Sequence, residues 1–185
     1  MRSCAPPTAA AETLMEEDPH ARFAAEIMPH LDAAFTSARW LLRDDHDAED
    51  VVQEAMMKAL RFIGDCRSGS ARGWLLAIVR NTALTFLQRH RPRELEPLGP
   101  DAVAAPGYAP DQALLAAEHR QQLRSALDRL PYELREALVL RELDGLSYKA
   151  IAELAQVPIG TVMSRLSRAR ARLDGALTGL LAEEP

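Results

Sequence analysis

Apolar residues recur along this chain with the period of helices. Val162, Leu166, Ala169 and Leu173 step by four, three and four residues, so they share one helix face. Thr161, Arg165, Arg168 and Arg172 step the same way on another face. The preceding segment, Leu146 to Ala155, reads as a shorter helix that Ser147 can cap, and Gln156-Val157-Pro158 reads as a tight turn. A short helix, a turn and a second helix with one apolar and one Arg-rich stripe have the layout of a helix-turn-helix DNA reader. Its second helix would enter the major groove.

Upstream, the pattern is helical from His20 to about Arg91. Val52, Ala55, Met56, Ala59, Leu60 and Ile63 form an apolar stripe, with Asp50, Gln53, Glu54 and Arg61 off it. Gly64 to Gly73 interrupts the period with small and polar residues and reads as a loop. A helix follows over Trp74 to Arg89, with Leu75, Ile78, Val79, Thr82 and Phe86 facing inward, and Pro92 ends it. Glu94 to Pro110 carries four more prolines and two glycines without a helical period, so it reads as a flexible linker. Helices resume near Asp111, a plausible N-cap, and run to Leu130 with Leu123, Ala126 and Leu127 in the stripe. Pro131 opens another helix to about Leu143, and Asp144-Gly145 is a turn. Residues 1–19, rich in Ala, Pro and Glu, read as a mobile tail. The expected fold is all-α: two small helical domains over 20–93 and 111–185, joined by a Pro/Gly-rich linker over 94–110.

Composition agrees with helices. Aromatic content is only 5% and hydrophobic content is 48% of 185 residues. No apolar run approaches the roughly 20 residues that span a bilayer. The N-terminus lacks the basic and apolar regions of a signal peptide, so no membrane insertion and a cytoplasmic location are expected. Cys4 and Cys66 offer neither a disulfide framework nor zinc spacing, and His20, His30, His46, His90 and His119 are scattered. No metal, cofactor or catalytic constellation is expected, and therefore no enzyme.

A net charge of −5 is awkward for a DNA-binding chain until its distribution is read. Acids dominate from Glu16 to Glu54. Basic residues gather over Arg80 to Arg93 and over Arg165 to Arg172. Two basic patches and a separate acidic face suggest two nucleic-acid contacts and a different kind of partner.

Four segments, in order, resemble the extracytoplasmic-function sigma factors, compact two-domain members of the sigma-seventy family of bacterial transcription initiation factors. They are Asp47-Ala-Glu-Asp-Val-Val-Gln-Glu54 with Ala59-Leu-Arg61; Arg72-Gly-Trp-Leu-Leu-Ala-Ile-Val-Arg-Asn81; Leu130-Pro-Tyr-Glu-Leu-Arg-Glu-Ala-Leu138; and the helix-turn-helix. The similarity runs from about Phe23 to Leu177. It implies a protein that binds core RNA polymerase, reads the minus-thirty-five element as duplex through its C-terminal domain, and melts and captures the minus-ten element through its N-terminal domain. A stand-alone helix-turn-helix regulator is the alternative, but it would need neither the acidic segment nor the loop with its basic helix.

The resemblance also implies site residues. For the minus-thirty-five element these are Thr161, Ser164, Arg165, Arg168 and Arg172, with Arg170 and Arg172 toward the DNA backbone. Arg suits guanine edges and phosphates because its fork donates two hydrogen bonds. For the minus-ten element they are Arg67, Ser68, Gly69, Ser70, Arg72, Arg80, Asn81 and Arg89, the small residues letting a flipped base approach. Asn81 either bonds a base or braces the loop. For polymerase they are Asp47, Asp50, Gln53 and Glu54. Met163 stands where relatives commonly carry Lys or Arg, which either removes a contact or adds an apolar one to a thymine methyl. An anti-sigma protein that hides both DNA surfaces is a further expected partner.

Overall fold

The computed structural model describes residues 18–67, 71–95 and 124–181, and every regular element among them is helical. The tail, most of the linker, the cap expected at Asp111 and the residues Ser68, Gly69 and Ser70 lie outside the described residues. So do Cys4, His119 and Leu123.

Local chemistry starts and stops the helices. Helix α1 (Pro19–Glu26) begins at Asp18, whose carboxylate accepts from the His20 amide at 3.0 Å. Helix α2 (Leu31–Leu42) stops where Arg43 turns left-handed, at φ 62°. Asp44 then caps α3 (Asp45–Arg61), accepting from the amides of His46 and Asp47 at 2.9 and 3.0 Å. These bonds hold its carboxyl below the usual range. Asp45 and Asp47 in the first turn and Lys58 and Arg61 in the last complement the helix dipole.

Helix α4 (Ala71–His90) begins three residues before the expected Trp74, so Arg72 and Gly73 are helical and the break after α3 is shorter than Gly64 to Gly73. The short stretch Ile63–Asp65 is 3₁₀. After a helical stretch at 124–128, Pro131 leads into α5 (Tyr132–Leu138), which continues as a π-helical turn over Val139–Leu143. Gly145, at φ +72°, makes the turn expected at Asp144-Gly145. Ser147 caps α6 (Tyr148–Ala155) by accepting from the Ala150 amide at 3.1 Å. Gln156, at φ 55°, ends α6, and α7 (Ile159–Leu181) follows Pro158.

Two apolar clusters hold these helices. In the first, Leu41, Ala55, Ala59, Leu75, Val79 and Leu87 are fully buried where α2, α3 and α4 meet. In the second, Ile151, Val162, Leu166 and Ala169 pack against Leu134, Ala137 and Leu140. The stripe of α3 is buried as its period predicts, with Met56 and Leu60 half-buried at its margin. Trp74 packs against the first cluster.

Helix α5 touches both clusters. Leu134, Ala137 and Leu138 face α6 and α7, while Tyr132 and Val139 enter the cluster of α2 and α4. Covered on both sides, this helix buries two of its three charged residues. Arg135 is fully buried and Glu136 nearly so.

Candidate nucleic-acid interface

Helix α7 carries the residues expected at the minus-thirty-five element. Val162, Leu166 and Ala169 anchor its inner face at 0–1% exposure. Gly160, Met163, Ser164, Ser167, Arg168 and Ala171 lie on the exposed face. Small residues dominate it, which lets a helix backbone come close to a groove floor. Ser164 donates its hydroxyl to the Thr161 carbonyl at 2.9 Å. Arg168 reaches back over Ser164, donating to its carbonyl and hydroxyl oxygens, each at 3.2 Å. Ser164 and Arg168, both exposed, are thus brought into one row with the half-buried Thr161.

The other arginines of this helix are placed differently. Arg165 is only 13% exposed and pairs with Glu133 of α5 at 3.1 Å. Arg170 pairs with Glu142 of the π turn at 2.7 Å. Arg172 is half-buried. The regular spacing of Thr161, Arg165, Arg168 and Arg172 therefore spans the edge of the exposed face rather than its centre. Met163 and Ile159, 51% and 42% exposed, are one turn apart on the side that meets solvent.

The residues expected at the minus-ten element divide into two groups. Arg67, Asn81 and Arg89 are exposed. Arg72 and Arg80 instead face α5 and the π turn. Arg80 is 8% exposed and donates Nε to Glu136 at 2.7 Å, and its Nη1 donates to the Asn81 side chain at 3.0 Å. Asn81 thus braces Arg80. Arg72 donates to the Leu143 carbonyl at 3.2 Å and to the Asp144 carbonyl. The resemblance implied that both arginines face the minus-ten element.

Further polar groups meet at this junction. Arg135 donates to the Leu41 carbonyl at the end of α2 and to the Leu130 carbonyl, both at 3.0 Å. Burial, reinforced by Arg43 nearby, pulls its guanidinium down to about 10. Ser37 of α2 donates to the Asp144 carboxyl at 3.0 Å, and both residues are buried. Burial raises Asp144 to about 6, against the opposing pull of Ser37 and Arg72. Arg43 adds contacts to Glu94 and to the Asp128 carbonyl. Sequence reasoning missed Ser37, Arg135, Glu136 and Asp144. The available signal was α5 itself, whose apolar residues are spread over more than one face, with Glu133 alone of its charged residues exposed.

The acidic surface lies on α3. Asp50, Gln53 and Glu54 are exposed, and Glu54 pairs with Lys58 at 2.7 Å. Asp47 is half-buried and pairs with Arg91. Met57, 68% exposed, stands on the same side, an apolar member that the charge pattern did not reveal. Among the described residues no His, Cys, Asp and Glu group could hold a metal, and no helix is long and apolar enough to cross a membrane.

Comparison with known proteins matches this arrangement in two places. Residues 27–93 match the family model for sigma-70 region 2, and residues 120–173 match the model for sigma-70 region 4. The chain is 40% identical over 152 residues to the RNA polymerase sigma-H factor of Pseudomonas aeruginosa, covering 77% of this chain and 79% of that one. It is 39% identical over 148 residues to the ECF RNA polymerase sigma-E factor of Escherichia coli, covering 73% and 76%. Among solved structures it is similar to the sigma factor RpoE of Bartonella quintana in complex with the anti-sigma factor NepR. The TM-score there is 0.65 and the identity 31%, over 84% of this chain and 96% of that one. It is also similar to CnrH in complex with the cytosolic domain of CnrY, with a TM-score of 0.61 and 25% identity, over 88% and 91%. Both family segments occur here in order, each on one apolar cluster, and the likeness to whole sigma factors extends over most of their length: the chain belongs to the extracytoplasmic-function sigma factors of the sigma-70 family.

Proposed function

We propose that this protein binds core RNA polymerase and directs it to a small set of promoters, making and breaking no bond itself. The division of labour follows the expected units, 20–93 and 111–185 on a 94–110 linker. Helix α7 reads the minus-thirty-five duplex through Thr161, Ser164 and Arg168. Arg165, Arg170 and Arg172 flank that row and lie nearer the phosphates. The segment with Arg67, Ser68, Gly69 and Ser70, together with α4, holds the melted minus-ten strand, with Asn81 and Arg89 on its exposed side. Asp50, Gln53 and Glu54, with Asp47 behind them, offer polymerase an acidic surface that DNA would repel.

The observation that carries this reading is the pair of separate surfaces. A recognition helix with an exposed Ser and Arg row and an acidic helix face belong to one chain but to different clusters. A stand-alone regulator would have no use for the second. The anti-sigma factor bound to the similar RpoE of Bartonella quintana supports a similar partner for this chain, and a cytoplasmic location fits these roles. The test is run-off transcription from promoters found by mapping transcript starts after overexpression. Transcripts are expected only when core polymerase and this protein are both present. Tight binding to duplex operators without any initiation would refute it.

A further inference from the structure

We propose that Phe62, at the end of α3, is a stacking platform for one unpaired base of the melted minus-ten strand, distinct from the base held by the segment 67–70. The inference rests on the promoter reading above and goes beyond it, because it adds a second base site built from two residues, Arg61 and Phe62, that the promoter reading leaves idle.

The first observation is exposure. Phe62 is 48% exposed, the one Phe, Trp or Tyr on the exposed surface among the described residues. An aromatic ring left half in water forgoes the burial that makes such rings valuable in a core. The turn does not require it. The Phe62 amide donates to the Lys58 carbonyl at 3.0 Å, and its carbonyl accepts from the Asp65 amide at 2.9 Å. Both are backbone bonds that most residues could make, so the ring itself is surplus to the end of α3.

The second observation is the posture of the ring. Arg61 lays its guanidinium over it, 5.5 Å from the centroid. A cation over one face leaves the rest of the ring to a visitor. A nucleobase is flat, aromatic and attached to an anionic backbone, so ring and guanidinium suit its two halves.

The third observation is place. Phe62 stands one turn beyond Lys58 on the same flank of α3. The Lys58 ammonium donates to the Thr82 hydroxyl of α4 at 3.2 Å. That flank therefore borders α4 where Asn81, next to Thr82, is exposed. Arg67, just past the 3₁₀ turn, is exposed as well. Phe62 thus continues the minus-ten surface. Asp50 and Gln53 of the surface offered to polymerase lie roughly 120° and 180° away around the axis at 3.6 residues per turn. Asp65 is the only acid between Glu54 and Glu94, so the local charge favours a phosphate strand.

A thermodynamic cycle on the holoenzyme tests this. Its readout is affinity for a single-stranded oligonucleotide carrying the non-template minus-ten sequence of a promoter mapped for this protein. Each base in turn is replaced by an abasic site. With the natural chain, one position should lose about tenfold in affinity when its base is removed. Exchange of that base for another should change affinity less than about threefold, because every base offers a π face. Phe62→Ala should bind the intact oligonucleotide about tenfold more weakly and be indifferent to the abasic site at that position. Phe62→Trp should restore both, whereas Phe62→Leu, apolar but without a π face, should behave as Phe62→Ala. Affinity for core polymerase and for the minus-thirty-five duplex should stay unchanged in all three. Additive losses at every position, or a Phe62→Ala chain that binds polymerase poorly while its saturated holoenzyme keeps the oligonucleotide, would overturn the platform and leave the promoter reading standing. A natural holoenzyme that holds no minus-ten oligonucleotide at all would remove the promoter reading and the platform with it.

Discussion

Asp144 offers the sharpest physical test of the junction. Its carboxyl is buried between Ser37 of α2 and Arg72 of α4, and burial raises it from 3.8 to about 6. The sign follows from linkage. A carboxyl raised in the folded state binds its proton more tightly there, so folding gains stability as pH falls through about 6 and keeps gaining until about 3.8. Above pH 6 the charged form carries the net cost of burial after the pull of Ser37 and Arg72, about 3 kcal/mol for a shift of this size. Between pH 7 and pH 5 the group alone should add about 1.3 kcal/mol to stability. Asp144→Asn keeps an acceptor for Ser37 but cannot titrate. Urea unfolding of both proteins at pH 7, 6 and 5 isolates the group, because all other carboxyls are shared. The natural chain should gain on the variant as pH falls, by about 1.3 kcal/mol at pH 5. An unchanged difference, or a natural chain that loses ground on acidification, would refute the argument that burial dominates over Ser37 and Arg72.

Other predictions concern α7. Leu166 is 1% exposed at the centre of the second cluster, so Leu166→Ala should cost about 2–5 kcal/mol in urea unfolding; a loss under 1 kcal/mol would mean the cluster is not packed as described. Arg168→Ala should weaken binding of the holoenzyme to the minus-thirty-five duplex by about 1–3 kcal/mol, with little change in urea stability, since its bonds are local and exposed. Met163 can be tested from the DNA side. Replacing each thymine of the minus-thirty-five duplex by deoxyuridine removes only the methyl group, and one position should lose about 0.8 kcal/mol, roughly fourfold, in the natural chain but not in Met163→Ala. Equal losses in both proteins would assign the methyl contact elsewhere.

Much of the helical framework was legible because its causes are local. The stripe of Val162, Leu166 and Ala169 is buried where its spacing places it. Ser147 caps its helix, and Gly145 turns the chain. The row of Thr161, Ser164 and Arg168 was legible as chemistry, although the Arg stripe was not equally exposed. Arg165 belongs to Glu133 and Arg170 to Glu142, and neither partner could be inferred from spacing within α7. The π-helical turn at Val139–Leu143 was likewise invisible, since its sequence continues the apolar pattern of α5.

By itself, then, the amino-acid sequence determined an all-helical chain, the inner faces of α3 and α7, and the acidic and basic segments. Periodicity and capping act within a few residues and leave marks there. Only the tertiary structure decided which charges face solvent. Arg80 and Glu136 are 56 residues apart, and Ser37 and Asp144 are 107 apart. Periodicity assigns an isolated charged residue to the surface, because an unpaired charge is costly to bury. That rule yields when a partner arrives from a distant helix, and the contact between α5 and α4 is such a case.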